Sequence, residues 1–496
     1  MTDDEATAGG LGSLTSISEG AGLFMIGRVI SKGFGFVTNV VLTRYLGTNR
    51  YGIYTYLLVV FSLFTVFTRL GGDKSLLRFL PEYEDDTRKR YAMLTLAYVT
   101  SVAGSVVVAA GVYLGAPLIS AYTLDDPLFA DVLRITAIVI PFNTLSLLTF
   151  SAFKAIERMD YHVAVASVAR PAIRLVFIGG AVALGYSLVG AAAGLIVSGI
   201  LTLLVALVVL VRKTDLDSVV RPTRGDAEQY YDFSVPLTFT QLGSFLYNRI
   251  DLLMVGFLLT GSAVGVYNVA VIISRLLSLP LSGFNQLFPA VASRLYHDGN
   301  HDELESVYGT VTRLIFTLAL FPAVAAFVYA PEILRVFGEG FVRGDRVLTL
   351  FVVAQLTNAL VGPSGYLLMM SDHQYLTLAN QLTSGVLNAV LNYVLILEYG
   401  FIGAALATAT VLTAINLIRV GQVWYLEGFS PYDRTFAKPV VAGVVSGLVM
   451  YAFTVPFQRY VLLVVGGGFG AVGFLVTLYV LGIDDRDIEL LRSVVE

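Results

Sequence analysis

Residues 175–211 read LVFIGGAVALGYSLVGAAAGLIVSGILTLLVALVVLV, and this stretch decides the fold. Its 37 residues include no Asp, Glu, Lys, Arg or His. A helix of about 20 apolar residues crosses the hydrocarbon layer of a membrane. The stretch is therefore long enough for the end of one helix, a turn at Gly185-Tyr186-Ser187 and a complete second helix. It predicts an integral membrane protein.

The composition of the whole 496-residue chain agrees with this prediction. Hydrophobic residues make up 56% and charged residues 14%, against about 25% charged in ordinary globular domains. The absence of Cys excludes disulfides, cysteine-ligated zinc and thiol catalysis. The sequence shows no basic face for nucleic acid, no convincing metal-ligand spacing and no nucleotide-binding motif. We therefore expect no catalytic residues, metal, cofactor or nucleic-acid partner.

Similar uncharged stretches recur along the chain and predict an all-α, polytopic membrane protein with about fourteen transmembrane helices. The predicted spans begin near residues 22, 51, 91, 129, 163, 188, 233, 264, 305, 346, 374, 401, 436 and 460. Lys and Arg concentrate in the loops that lie inside if the N-terminus is cytoplasmic. The sequence thus predicts a multi-pass protein of the cell membrane with both termini cytoplasmic and no signal peptide.

An internal repeat organises the predicted spans. GIY at 52–54 is matched by GVY at 265–267, SAF at 151–153 by SGY at 364–366, and GAA at 190–192 by GAA at 403–405, always at an offset of 213 residues. Six helices fit in each copy, which predicts two parallel six-helix lobes plus two C-terminal helices, with a site between the lobes.

The repeat and the polar segments together predict the domain boundaries. These are a cytoplasmic acidic tail (1–21), an N-lobe of spans 1–6 (22–211), a cytoplasmic linker (212–232), a C-lobe of spans 7–12 (233–425), spans 13–14 (436–482) and a cytoplasmic tail (483–496).

Ionisable residues lie inside several predicted spans, where lipid does not tolerate them. They are Arg28 and Lys32 in span 1, Arg170 and Arg174 in span 5, Arg249 and Asp251 in span 7, and Arg275 in span 8. A cation that faces lipid at the centre of a span costs about 2.5 to 3.5 kcal/mol. These residues must therefore face a wet cavity, each other or a ligand.

Amide side chains fall on polar faces of the same or other spans. Asn39 follows Arg28 and Lys32 on span 1, Asn248 precedes Arg249 on span 7, and Gln381 and Asn388 lie on span 11. With the six cations these amides form the predicted substrate-binding set, and Asp251 is a candidate for ion coupling. The predicted cavity is positive in the N-lobe and richer in amides in the C-lobe.

Structural interpretations of the same residues stay open. Arg249 and Asp251 could form a structural pair, Arg170 and Arg174 could extend to an interface, and the Asn and Ser side chains could bond between helices. Arg69, Arg313 and Arg419, near predicted cytoplasmic ends, are interpreted as interface anchors.

A positive cavity in a low-dielectric wall favours an anionic ligand. Of the 32 basic residues only six are Lys, and Arg matches phosphate oxygens in a planar fork. The ligand class is therefore phosphate- or pyrophosphate-bearing, either a small metabolite or a lipid head group. Spans 13 and 14 are nearly free of polar groups, which favours a ligand with a lipid tail.

The six-plus-six repeat with two extra helices, the cationic span 1, and YNRID at 247–251 followed by GVY at 265–267 resemble one known family. It is the polysaccharide-biosynthesis flippases of the multidrug/oligosaccharidyl-lipid/polysaccharide (MOP) exporter superfamily, and the likeness covers roughly residues 20–430. The resemblance implies a transporter rather than an enzyme. Its implied cargo is a polyprenyl- or dolichyl-phosphate-linked sugar, turned from the cytoplasmic to the outer leaflet for cell-surface polysaccharide or protein glycosylation.

The resemblance also implies roles for individual residues. Transport would proceed by alternating access around a cationic inter-lobe cavity, and Asp251 matches the family's acidic position on span 7. The phosphate would be held by Arg28, Lys32, Arg170, Arg174, Arg249 and Arg275. Implied partners are membrane lipids and glycosyltransferases of the same pathway. The low Lys content, absent Cys and acidic loops resemble salt-adapted archaeal members.

Other functions stay open at this point. A multidrug or small-anion antiporter shares the fold, although Arg28 and Lys32 argue against cationic drugs. A membrane glycosyltransferase or polymerase would use the same lipid, but the predicted outer loops are short for such an enzyme. A scaffold for other glycosylation enzymes is a further alternative.

Overall fold

The structure is a computed structural model that describes the backbone of residues 3–482, except 217, 456 and 458, and the side chains from residue 26 onward. All regular elements of these residues are helical, which confirms the predicted all-α class. The predicted tail at 483–496 and the side chains of the predicted tail at 1–21 lie outside the described residues.

The helices follow the chain in a simple order, with short 3₁₀ turns at Glu339–Gly344 and Arg434–Phe436. They are α1 (Asp3–Arg69), α2 (Gly72–Glu82), α3 (Thr87–Ala121), α4 (Pro127–Thr136), α5 (Val139–Ala155), α6 (Met159–Ala183), α7 (Ser187–Lys213), α8 (Arg224–Leu258), α9 (Gly261–Leu276), α10 (Leu279–His297), α11 (His301–Val328), α12 (Ala330–Arg335), α13 (Asp345–Val361), α14 (Ser364–Met370), α15 (Gln374–Tyr399), α16 (Phe401–Glu427), α17 (Ala437–Ala452) and α18 (Arg459–Leu481).

Within the described residues, ten helices are long and apolar enough to cross a membrane, or up to twelve if each bent pair is one span. The bent pairs are α4 with α5, at 53°, and α9 with α10, at 50°. The protein is therefore a multi-pass membrane protein, and the predicted number of fourteen spans is not confirmed. The 35-residue helix α8 is not among the ten, and it carries charged and amide side chains along its length.

Helix α1 contains a break at Gly47, where φ is 70° and ψ is −178°. A glycine adopts this backbone conformation without a steric penalty, whereas an L side chain does not. The sequence predicts the end of span 1 and the start of span 2 in the same region, so the glycine is the local cause of that division.

Packing within the chain defines two units, each with its own hydrophobic core. The first unit extends to Arg249 and includes Thr260–Ser262, and the second contains Ile250–Leu259 and the chain from Ala263 onward. The boundary thus falls inside α8, and residues 233–249 group with the first unit. The predicted lobes, which place these residues in the C-lobe, stay a prediction.

Helix α6 has a local distortion on both sides of its two arginines. Arg170–Arg174 is an α-helical turn between two π-helical segments, Val163–Ala169 and Leu175–Gly179. Pro171 lies in this turn and has no backbone N–H to complete the α-helical ladder. Wide π-turns of this kind occur frequently at functional sites.

The bend between α9 and α10 corrects one detail of the sequence interpretation. Arg275 lies in the last turn of α9, while Ser282 and Asn285 lie on α10 beyond the 50° bend. The sequence predicted one uninterrupted span that begins near residue 264, because helical spacing alone carries no signal of a bend. These side chains therefore do not share one continuous helical face.

Candidate functional site

The first unit contains a cavity of about 600 Å³ that we call the basic cavity. Among the described residues that line it are four cations and no carboxylate: Arg69, Lys74, Arg170 and Arg249. The rest of its wall is mainly hydroxyl and amide groups, with three apolar side chains: Ser62, Thr65, Val66, Asn143, Leu147, Gln241, Ser244, Phe245 and Asn248. A wall of this composition attracts an anion and offers it charge-assisted hydrogen bonds.

Asp73, on α2, positions two residues of the basic cavity. Its Oδ2 accepts a 3.0 Å hydrogen bond from Arg69 Nη1, and its Oδ1 accepts one of 3.1 Å from Gln241 Nε2. Asp73 is 8% exposed, so its charge is largely removed from water. Asp73 thus holds one cation and one amide of the wall in place.

The approach of α8 to α2 depends on Gly71. Its φ is 70°, and a Cβ built there would lie 2.2 Å from the backbone oxygen of Ser234 on α8. Only glycine adopts this positive φ without strain and also leaves room for the backbone oxygen of Ser234. Gln241, Ser244 and Asn248 follow on the same helix, and this contact helps to bring them to the wall of the basic cavity.

Arg170 connects the basic cavity with a second cavity of about 290 Å³, which we call the Arg174 cavity. Arg170 Nη2 donates a 2.8 Å hydrogen bond to Asn143 Oδ1, and its guanidinium carbon lies 5.6 Å from the centre of the Phe150 ring. These contacts fix the orientation of the side chain, and its remaining N–H groups are available to a ligand.

The Arg174 cavity lies between α1 and α6. Polar groups in its wall are Ser31, Thr38, Asn39, Tyr54, Arg170 and Arg174. Asn39 is held by two bonds of 2.7 Å, because its Oδ1 accepts from the hydroxyl of Tyr51 and its Nδ2 donates to the oxygen of Gly35. Arg174 forms no hydrogen bond or ion pair with any described residue, and the phenol of Tyr54 is its electrostatic neighbour.

The structure brings together part of the predicted set and separates the rest. Arg170, Asn248 and Arg249 line the basic cavity, and Asn39, Arg170 and Arg174 line the Arg174 cavity. Arg28 and Lys32 line neither cavity, although both lie on α1 and are exposed. Arg28 acts electrostatically on Lys154, as does Lys74 of the basic cavity.

The predicted residues of the second unit lie outside these two cavities. Gln381 is exposed on α15, whereas Asn388 is buried and accepts a hydrogen bond of 3.4 Å from Thr408 of α16. Asn392 also donates to Asn388. Asn388 therefore makes the interhelical contact that the sequence left open as an alternative. Arg275 is half-buried at the end of α9, within electrostatic range of Tyr267.

Asp251 lies in a buried hydrogen-bond chain of the second unit. Its Oδ2 accepts from the hydroxyl of Tyr267 at 2.7 Å, and its Oδ1 accepts from the backbone N–H of Leu252 at 2.8 Å. Thr408, which donates to Asn388, is also an electrostatic neighbour of Tyr267. Asp251 is thus a carboxylate at 8% exposure that accepts from a tyrosine hydroxyl and a backbone N–H.

Sequence reasoning missed much of the wall of the basic cavity, including two of its four cations. It interpreted Arg69 as an interface anchor and did not single out Lys74 or Asn143 as site residues. The spacing of Ser62, Thr65 and Arg69 at i, i+3 and i+7 places them on one helical face and was the available signal. Arg313, also interpreted as an anchor, is instead buried and paired with Asp433 at 3.1 Å.

The fold matches solved structures of transporters over most of the chain. A structure titled "Lipid II flippase MurJ, inward closed conformation" has a TM-score of 0.72 at 17% identity and covers 92% of this chain and 98% of its own. An inward-facing multidrug resistance MATE family transporter of the MOP superfamily has a TM-score of 0.61 at 14% identity, over 82% of this chain and 98% of its own. The protein thus has the fold of the MOP superfamily transporters.

The sequence match identifies the family within that class. A profile described as "Polysaccharide biosynthesis protein" matches residues 17–294, more than half of the chain, and a profile described as "MatE" matches residues 236–394. The chain belongs to the polysaccharide biosynthesis protein family.

Two curated relatives align over part of the chain. "Probable low-salt glycan biosynthesis flippase Agl15" of Haloferax volcanii is 27% identical over 245 residues, which is 46% of this chain and 50% of the relative. "Teichuronic acid biosynthesis protein TuaB" of Bacillus subtilis is 23% identical over 241 residues, 44% of this chain and 47% of the relative. The chain spans about half the length of the curated relatives it matches.

Proposed function

We propose that this protein is a flippase for a lipid-linked glycan whose head group carries a phosphate. The carrier lipid is a polyprenyl or dolichyl phosphate, and the sugar passes from the cytoplasmic to the outer leaflet for cell-surface polysaccharide or protein glycosylation. Family membership and the flippase name of the Haloferax relative support this function. The observation that carries it is the basic cavity, with four cations and no carboxylate in its described wall.

The chemistry of the cavity explains why the head group would leave water. Arg69, Lys74, Arg170 and Arg249 replace the hydration of a phosphate with charge-assisted hydrogen bonds. The amides and hydroxyls of the wall suit sugar hydroxyls, which both donate and accept. The lipid tail would stay in the membrane while the predicted lobes alternate in access. A potential that is negative inside favours outward movement of an anion by about 2.3 kcal/mol per charge per 100 mV.

A transport assay tests the proposal. Purified protein is reconstituted in liposomes with a fluorescent polyprenyl-phosphate sugar, and dithionite bleaching reports the fraction that reaches the opposite leaflet. We expect wild type to accelerate exchange and Arg170→Gln to reduce the rate at least about tenfold, because a hydrogen bond to a charged group contributes about 1.5 to 3 kcal/mol. Arg224→Gln is the matched control, since Arg224 is 93% exposed and its pair with Glu228 lies outside the basic cavity. Equal rates for Arg170→Gln and the control would refute the assignment.

The buried chain around Asp251 supports a second part of the proposal, which is ion coupling. A buried carboxylate that accepts from a tyrosine hydroxyl can exchange a proton or hold a monovalent cation. Asp251→Asn should abolish the dependence of the flipping rate on a sodium or proton gradient while slow gradient-independent exchange continues. A gradient dependence that persists in Asp251→Asn would remove Asp251 from the coupling step.

The basic cavity is also compatible with a small anion as cargo, the main alternative. Uptake of radiolabelled phosphate or a sugar phosphate into the same liposomes distinguishes the two. The flippase proposal predicts no uptake above protein-free liposomes, together with rapid movement of the lipid. Uptake of the soluble anion without lipid movement would favour the antiporter.

A further inference from the structure

The second unit contains a cavity of about 600 Å³ that we call the boundary cavity. Its polar wall includes Glu332 and Arg335 of α12, Tyr451 of α17 and Arg459 of α18. Three helices that are long and apolar enough to cross a membrane meet beside it, because α11 and α17 end there and α18 begins there. The boundary cavity therefore lies at one edge of the apolar layer, at the level of lipid head groups.

Side chains beneath the boundary cavity hold these three helices together. Tyr329 is 1% exposed, and its hydroxyl donates a 2.7 Å hydrogen bond to the backbone oxygen of Met450. A Cβ at Gly466 would lie 2.2 Å from that hydroxyl, so the glycine allows α18 to pack against the tyrosine. Phe453 stacks on Phe457, which lines the cavity, with ring centres 5.9 Å apart. The floor of the cavity is thus well packed.

The wall of the boundary cavity carries charges of both signs. Arg335 lies between two carboxylates, with Nη1 3.5 Å from Glu332 and Nε 3.1 Å from Glu339. Glu332 and Arg335 line the cavity, whereas Glu339 does not. Arg459 is exposed and forms no hydrogen bond or ion pair with a described residue. Arg459 is therefore the cation that a ligand can use, and Glu332 supplies an acceptor in the same wall.

The surfaces of α17 and α18 next to the boundary cavity are apolar and exposed. Leu448 is 65% exposed and Tyr451 68% on α17, while Val461 is 52% and Val464 75% exposed on α18. In a membrane, acyl chains cover such surfaces. A lipid whose chains lie on these helices brings its phosphate to the level of Arg459, and the planar fork of a guanidinium matches phosphate oxygens.

We infer that the boundary cavity binds the head group of a phospholipid of the surrounding membrane. Arg459 holds the phosphate, and Glu332 accepts a hydrogen bond from an O–H or N–H group beyond it. A carboxylate in the wall repels a second anion, so the head group ends in a donor such as glycerol or ethanolamine. This lipid is a resident of the membrane and not the cargo, so the inference does not depend on the proposed function.

Native mass spectrometry of the delipidated protein in detergent tests this site. The probes are phosphatidylethanolamine, phosphatidylglycerol and phosphatidylcholine with identical acyl chains, and the last has no O–H or N–H donor. We expect wild type to bind at least one of the first two at least about threefold more tightly than phosphatidylcholine. Glu332→Gln should remove this preference, and Arg459→Gln should lower the affinity for all three lipids at least about threefold.

Two matched variants serve as controls and should bind as wild type does. Glu339→Gln removes the other carboxylate that pairs with Arg335, and 69% of the Glu339 side chain is exposed outside the cavity. Arg434→Gln removes an exposed arginine from the 3₁₀ turn before α17, at the opposite end of that helix from the cavity. If Arg459→Gln does not fold, Arg459→Lys is compared instead, and it should lose part of the affinity because it lacks the planar fork.

The pattern of affinities identifies the head group and can overturn the inference. Preference for phosphatidylethanolamine alone indicates an ammonium donor, and preference for phosphatidylglycerol alone indicates a hydroxyl donor. The inference is wrong if wild type does not distinguish either lipid from phosphatidylcholine, if Glu332→Gln keeps the preference, or if the Arg459 variant binds as Arg434→Gln does. Displacement of the lipid by an equal concentration of soluble glycerol phosphate would also overturn it, because the ligand would then not be a lipid.

Discussion

Asp73 is the residue on which the geometry of the basic cavity depends most directly. It binds Arg69 and Gln241 from opposite sides of one carboxylate. Asp73→Asn removes the charge that holds Arg69 and leaves a half-buried guanidinium uncompensated. We expect the free energy of unfolding to fall by about 1 to 3 kcal/mol, measured as the thermal stability of the detergent-purified protein.

Glu82→Gln is the control for this change, because it lies on the same helix and also breaks an i, i+4 pair with arginine. Its pair with Arg78 is exposed, with 50% and 38% of the two side chains accessible. Exposed pairs contribute about 0 to 1 kcal/mol, so this variant should remain close to wild type. A stability of Asp73→Asn equal to that of Glu82→Gln would contradict the structural role of Asp73.

Sequence patterns indicated the residue types of the site more closely than they indicated which of those residues lie together. Placing arginines in apolar spans is expensive, so the sequence predicted that they turn toward a cavity, and Arg170 and Arg249 line the basic cavity. Arg28 and Lys32 share a stripe with Asn39, yet only Asn39 reaches a cavity. Helical spacing shows which residues share a face, but it does not show how far along that face the cavity extends.

At the scale of elements, the hairpin of α15 and α16 depends on Gly403. A Cβ at Gly403 would lie 1.8 Å from the backbone oxygen of Leu395 on α15. A backbone oxygen cannot change rotamer to relieve this clash. Gly403→Ala should therefore force the two helices apart and lower the free energy of unfolding by about 2 kcal/mol or more. Thermal unfolding monitored by size-exclusion chromatography measures the loss.

Gly421→Ala is the matched control on the same helix. Nothing lies within 4 Å of a Cβ at Gly421. Alanine has the better helix propensity by about 1 kcal/mol, so this variant should be as stable as wild type or slightly more so. Comparable destabilisation by both alanines would mean that the close packing of α15 and α16 is not the cause.

The start of α8 provides a prediction about pH. The Asp226 carboxylate accepts hydrogen bonds from the backbone N–H and hydroxyl of Thr223 and from Arg88, at 2.7 Å each. Burial raises the pKa of Asp226, but these bonds outweigh it and lower the pKa from 3.8 to about 2. A carboxyl group whose pKa is depressed by folding stabilises the folded state above its unfolded pKa, and that contribution is lost as the pH falls through the folded value.

Asp226→Asn should therefore be less stable than wild type at pH 7. The difference should be constant down to about pH 4 and shrink as the pH falls from 3.8 toward about 2. Thermal unfolding at a series of pH values measures it. An Asp226→Asn deficit that stays the same at pH 2.5 and pH 7 would show that the stabilisation does not come from the ionised carboxylate.

The sequence predicted some features of the helices and gave no sign of others. Apolar length predicted the helices and the break near Gly47, because both depend on local composition and backbone freedom. The periodic pattern contained no signal of the bend between α9 and α10, whereas the π-turns flank Pro171, whose missing N–H is a local feature of the sequence. Polar residues in α8 kept it outside the apolar candidates while they supplied one wall of the basic cavity.

At the scale of the whole molecule, an apolar scaffold holds a small number of charges away from lipid. The helices outside the site expose large apolar side chains, as a protein surrounded by hydrocarbon requires. The first unit contains the four cations of the basic cavity, and the second unit contains Asp251, bonded to the hydroxyl of Tyr267. This division agrees with a first unit that binds an anion and a second unit that couples an ion, as proposed above.

Photo-crosslinking tests most directly whether the head group occupies the basic cavity. Phe245 and Phe239 both lie on α8, but only Phe245 lines the cavity, while Phe239 is 67% exposed. Each is replaced in turn by benzoylphenylalanine, and the protein is irradiated with a polyprenyl-phosphate sugar radiolabelled in the sugar. We predict strong labelling from position 245, weak labelling from position 239, and loss of the former in Arg170→Gln. Labelling at 239 that equals or exceeds that at 245, or labelling at 245 unaffected by Arg170→Gln, would contradict the account.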